Sequence, residues 1–213
     1  MSPAQKKNKI SVPGLVLTLL ATAGFVWAAN QWFNQHNWPP KPTPEGIRAN
    51  EIETLKNLQR IAGAQEEYRK KDWDEDGRKT YAKFLAHLWS SVNTKSRPVP
   101  VGLISQDLAF AMGAGQSLDG YYFVDLHTRR LPEGAKMRKL DYEIEWALAA
   151  VPAEPGKTGI LILIADNSSR VYAKNQNQIP SDYPHDPAAA GWKEIQTVGG
   201  LQNLQKTIEY PPK

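Results

Sequence analysis

The 213-residue chain contains no cysteine. That excludes a disulfide scaffold, a Cys-ligated zinc site, a Cys-held iron–sulfur cluster and a thiol nucleophile. It is compatible with life outside the cytoplasm without selecting that compartment. Histidine is scarce: His36, His87, His127 and His185 stand far apart, with no pair at metal-ligand spacing, and read as surface or rim residues. No serine lies in a nucleophile elbow. Gly156-Lys157-Thr158 lacks the glycine that a phosphate loop needs five residues earlier, where Val151 stands, and a strand pattern follows it instead of a helix. Basic residues form no stripe interleaved with aromatics, so nucleic acid is not an expected partner. These absences predict neither an enzyme nor an organic cofactor.

Charge is also missing where it matters. From Ile10 to Ala29 there are 20 residues without a charged side chain, behind Lys6, Lys7 and Lys9. As a helix rising 1.5 Å per residue, that run matches the ~30 Å hydrocarbon core of a bilayer. The basic flank predicts the N-terminus inside and the rest outside. Trp27, Trp32, Phe33 and Trp38 cluster at the far end, at the depth amphipathic rings favour. The expectation is a basic cytoplasmic tail over 1–9 and a single transmembrane anchor over 10–30. A signal peptide cut between Ala28 and Ala29 is the alternative, though the run exceeds the usual length of a signal core. The net charge of +4 is mostly this flank, because the rest of the chain holds nearly equal numbers of basic and acidic side chains.

Residues 31–46 read as a spacer, since NWPPKPTPEG places four prolines in ten residues and keeps the chain extended. Thr43-Pro44 then makes a helix start, with Thr as N-cap and Pro at the first helical position. Ile52, Leu55, Leu58 and Ile61 recur every three residues, with Ile47, Ala62 and Tyr68 on the same side, which predicts a helix of about 25 residues with a broad apolar face. Arg69, Lys70 and Lys71 close it with the sign that suits the helix dipole.

Asp72-Trp73-Asp74-Glu75-Asp76-Gly77 follows. Carboxylates at alternate positions and then Gly match the first half of a calcium loop, where oxygens 1, 3 and 5 converge on one ion. Asp72, Asp74, Asp76 and Thr80, at position 9, are the candidate ligands for calcium. Position 12 is Lys83, where a bidentate Glu is required. The competing reading is a solvated acidic turn between helices.

Tyr81 to Trp89 has helical spacing, Ser90 to Pro100 reads as a loop, and Leu103 to Met112 as a short helix. Gly120 to Leu126 reads as a strand. Tyr142, Ile144, Trp146 and Leu148 alternate with Glu143, Glu145 and Ala147, a period-2 strand whose wet face carries both glutamates. Ile160 to Ala165 reads as a strand buried on both sides, and Arg170 to Lys174 returns. Short turns join the last three, so a meander is expected. Trp192, Ile195, Val198, Leu201 and Leu204 hint at a terminal helix or strap. One long helix, short helices and then about four strands predict an α+β class, preceded by a transmembrane helix.

This order resembles the globular part of type IV pilins and pseudopilins. The resemblance runs from about Asn50 to Lys174. It lies in Leu55 to Tyr68, in Tyr81-Ala82 with Leu85 and Leu88, in the Gly120-Tyr121-Tyr122-Phe123 strand, in Trp146 to Pro152, and in Gly156-Lys157-Thr158-Gly159 before a strand, turn and strand. It implies a long helix laid across a four-stranded antiparallel sheet, a pilin-like α+β domain over 47–174 displayed outside the inner membrane. Residues 175–213, rich in Pro, Gln and Asn, read as a C-terminal extension. Prepilins carry a Glu five residues after the cleavage-point Gly. Here Gly14 is followed at that distance by Leu19. The expectation is therefore a pilin-like structural and interaction domain on an unprocessed anchor, presented to an envelope protein partner. An extracytoplasmic module that binds calcium or a small ligand is the alternative.

Overall fold

The computed structural model describes residues 42–132 and 136–210. Helix α1 spans Pro44–Tyr68, 25 residues. Thr43, extended at φ −108° and ψ 148°, accepts a hydrogen bond on Oγ1 from the Gly46 amide at 3.1 Å, so one orphan donor of the first turn is satisfied. A single-turn 3-10 helix, Leu85–Leu88, precedes the hairpin of β1 (Ser90–Val92) and β2 (Pro98–Pro100). Helix α2 (Gln106–Phe110) is capped by Ser105. Strands β3 (Tyr121–Asp125), β6 (Ala147–Pro152), β7 (Leu161–Asp166), β8 (Val171–Asn175) and β9 (Lys193–Ile195) form one antiparallel sheet in the order β3-β6-β7-β8-β9. Strands β4 (Thr128–Arg130) and β5 (Met137–Lys139) pair separately, and α3 (Val198–Gln205) follows β9.

Every residue of β6 and β7 is buried, because both faces of the sheet are covered. Leu161, Leu163 and Ala165 pack in a core with Leu55, Leu58 and Ile61 of α1. Ile162 and Ile164 point to the opposite face, into a second core with Tyr172, Tyr183 and Trp192. Period-2 alternation is still present, but both phases are apolar, so the strand reads as a continuous hydrophobic run.

Two parts of the expected fold are corrected. The sheet has five strands, not four. Lys193–Ile195 pairs with β8 at the edge, and three residues with one buried side chain show no pattern that sequence reasoning could detect. Among the described residues no helix is long and apolar enough to cross a membrane, and the span expected over 10–30 lies outside them. The Ser90 to Pro100 stretch, read as a loop, is a short hairpin whose prolines stand on β2.

Polar anchors fix α1 on the sheet. Glu51 is fully buried. Its Oε1 accepts the amides of Ile160 and Leu161 at 2.9 and 3.1 Å, and its Oε2 accepts Gln205 Nε2 at 2.8 Å and Tyr210 Oη at 2.6 Å. Asn50 donates to the Thr158 carbonyl at 2.9 Å. At Gly159 a Cβ would lie 2.0 Å from Tyr121 Oη, which donates to the Leu161 carbonyl. Glycine is required there because a phenol occupies the space.

Candidate functional site

The acidic loop leaves the end of α1 and folds over itself. Asp72 accepts the amides of Asp76 and Gly77, at 3.1 and 2.9 Å. Glu75 and Gly77 take positive φ, 55° and 85°, to make the turn. Trp73 stacks on Tyr68 at 6.1 Å, and the Thr94 amide donates to the Asp74 carbonyl at 3.0 Å, so the loop is pinned to the core on one side and to the β1–β2 turn on the other.

One carboxylate oxygen each from Asp72, Asp74 and Asp76 lie within 4.8 Å of one another. Two oxygens on one calcium ion, each at ~2.4 Å, are separated by at most about 4.8 Å, so the three suit a single cation. Among the described residues this is the one group of three or more His, Asp or Glu side chains with such spacing. Burial, Asp76 and the contact with Asp72 raise the Asp74 carboxyl above its ordinary range. Asp76 is instead held below it by the amide and guanidinium of Arg78. Thr80 lines the same cleft as Asp74 and Asp76, as does the cationic Lys83.

The opposite wall comes from residues 141–143. Together the walls bound a cleft of about 330 Å³ that Tyr68 and Tyr81 also line. Arg78 spans it, pairing with Asp76 at 2.9 Å and Glu143 at 3.5 Å. The Tyr81 amide donates to the Tyr142 carbonyl at 2.7 Å and ties the two walls together behind the cleft. The wall at Glu143 could not be found from the loop sequence, which lies 65 residues from Arg78's partner.

Glu143 and Glu145 do not share a wet face. Strand β6 starts at Ala147, and residues 142–144 form a turn. Glu143 is exposed, whereas Glu145 is buried and receives Arg129 Nε at 3.0 Å, both Arg138 Nη atoms and the Asp141 amide at 3.1 Å. Burial opposes its ionisation, but these donors outweigh it and hold the carboxyl below its ordinary range. Arg129 also reaches Asp166 at 2.9 Å and lies over the Tyr183 ring at 4.6 Å, while Arg130 grips Asp182 bidentately at 2.8 and 2.9 Å. These pairs fasten the β4–β5 hairpin and the chain around Tyr183 to the second core.

The histidines are not all isolated either. His87 and His127 flank the Phe84 ring edge-on, at 5.2 and 5.3 Å. The Tyr142 hydroxyl lies 2.7 Å from His127 Nδ1. Burial, then Asp125 and Glu145, push that phenol up to about 12, and burial with Lys83 lowers His127. The tyrosine therefore stays protonated, which is not the state of an activated nucleophile. Gly156-Lys157-Thr158 is a plain turn between β6 and β7, with Lys157 paired to Glu154 at 2.8 Å.

A family model described as a protein of unknown function, DUF2950, matches residues 43–183. The chain belongs to that family. The matched stretch starts at the N-cap of α1 and ends at Tyr183. No curated protein and no solved structure matches the chain.

Proposed function

We propose that this is a pilin-like structural and interaction domain, carried to the far side of the inner membrane and presented to a protein partner in an envelope assembly. The observation that carries the reading is α1 laid on an antiparallel sheet. Its apolar face is spent on packing and its buried polar groups on anchoring, so what remains to act is surface. The charge-free run behind a basic flank supports the envelope address, and the pilin resemblance rests on the residues quoted above. Phe110, Met137 and Ile144 are exposed apolar positions, 45, 54 and 58% accessible, and a partner is best sought there. Photo-crosslinking residues at these three positions, activated in growing cells, are expected to give a discrete adduct with one envelope protein. No adduct at any of them sinks the reading.

The second reading is a calcium module at Asp72, Asp74 and Asp76, favoured by the convergence of their oxygens and the raised pKa of Asp74. Calcium titrated calorimetrically into the full chain is then expected to release or absorb heat and raise the melting temperature, with Asp74→Asn abolishing both. No heat and no shift at millimolar calcium removes it.

A further inference from the structure

Asp125 ends β3, and its Oδ1 accepts the Leu85 amide at 3.0 Å. The Leu85–Leu88 turn has no capping side chain of its own, since Phe84 at its N-cap position makes no such bond. The cap is thus supplied from the sheet, 40 residues away. The other oxygen, Oδ2, is buried and has no hydrogen-bond partner among the described residues. A neutral carboxyl tolerates that position better than a carboxylate, whose second oxygen is left desolvated and unpaired.

The groups that face Asp125 do not neutralise it. Tyr142, on the wall opposite the acidic loop, keeps its proton and points its hydroxyl at His127, with Glu145 beyond. From the 81–89 segment come Lys83, whose ammonium lies 5.3 Å from the Phe84 ring centroid, and His87, whose pKa burial and Lys83 lower. The same two causes lower His127. Lys83, His87 and Tyr142 all line the cleft between the acidic loop and residues 141–143.

We propose that Asp125 is a proton-operated latch on this cleft: protonated, it holds the Leu85–Leu88 turn on the end of β3, and ionised, it lets the turn lift and carry Lys83 and His87 away. Opening hydrates Oδ2, which is the event that ionisation favours. Burial outweighs the Leu85 amide, which by itself favours the carboxylate, and pushes the carboxyl up to about 6 in the closed form, against 3.8 when it is free of the fold. Opening therefore becomes easier as pH rises between these values and levels off above the higher one. The device does not depend on which partner or ion the domain takes.

The test is amide hydrogen exchange on the full chain in detergent micelles, corrected for the intrinsic rate. Protection of the Leu85 amide is expected to fall about tenfold from pH 5 to pH 7, by linkage. In Asp125→Asn, which keeps an oxygen for Leu85 but cannot ionise, protection should stay level. A wild-type value independent of pH, or an equal fall in the variant, overturns the proposal, the latter assigning the effect to His87 and His127. Should the variant not fold, the carboxyl carbon of Asp125 is titrated in the wild type by NMR. A midpoint near 6 supports the latch, and one near 4 overturns it.

Discussion

Glu51 is an ionisable side chain with no exposure and four donors aimed at its two oxygens. Glu51→Gln keeps the shape but turns an amide NH2 toward groups that are themselves donors. A loss of about 2–4 kcal/mol in urea unfolding is expected, since a buried hydrogen-bonded network is broken without relief by water. Gly159 depends on space instead. Gly159→Ala must displace the Tyr121 phenol, and its cost should reach about 3 kcal/mol, the upper range for overpacking. Neither position announces itself in the sequence. Glu51 sits in a helix that also has Glu45 and Glu53, and nothing local marks it as the one that turns inward. Its partners lie 109 to 159 residues away.

At the level of elements, legibility followed locality. α1 could be read because Thr43-Pro44 and the three-residue apolar spacing lie within it. The acidic turn could be read because its hydrogen bonds close within five residues. Strand β6 starts five residues later than the alternation from Tyr142 to Leu148 predicts and ends, as expected, at Pro152, because Glu145 is held by Arg129 and Arg138 from a separate hairpin. The same hairpin offers a graded test. Arg129, 14% exposed at its side chain, serves two carboxylates exposed by 6 and 9%. Arg129→Met leaves both short of a partner and is expected to cost about 3–5 kcal/mol. Arg130, 45% exposed, pairs with Asp182 closer to solvent, and Arg130→Ala should cost about 1 kcal/mol. Limited proteolysis between residues 176 and 192 should speed up in the first variant more than in the second.

For the molecule as a whole, two carboxyls pull stability in opposite directions with pH. Glu145 is depressed, so its contribution is present above its unfolded pKa and is lost as pH falls through the folded one. Asp125 is raised to about 6, so its contribution is complete below 3.8 and is lost as pH rises through 6. Asp125→Asn should accordingly exceed the wild type in stability at pH 7.5 by up to about 3 kcal/mol, with the advantage gone below pH 4. Paired urea titrations at the two pH values measure it, and an advantage that persists at acid pH would contradict the assignment. The overall +4 does not enter this balance, since Lys6, Lys7 and Lys9 account for most of it.

The hydrogen bonds from Gln205 and Tyr210 to Glu51 span 154 and 159 residues. A ribosome makes Glu51 well before Gln205 and Tyr210. Until Gln205 and Tyr210 arrive, Glu51 has a buried place prepared for it but only half its donors. The fold of α1 thus depends on sequence far downstream: a chain cut before Gln205 leaves Glu51 buried with two of its four donors, a built-in check that the segment after β9 has been made.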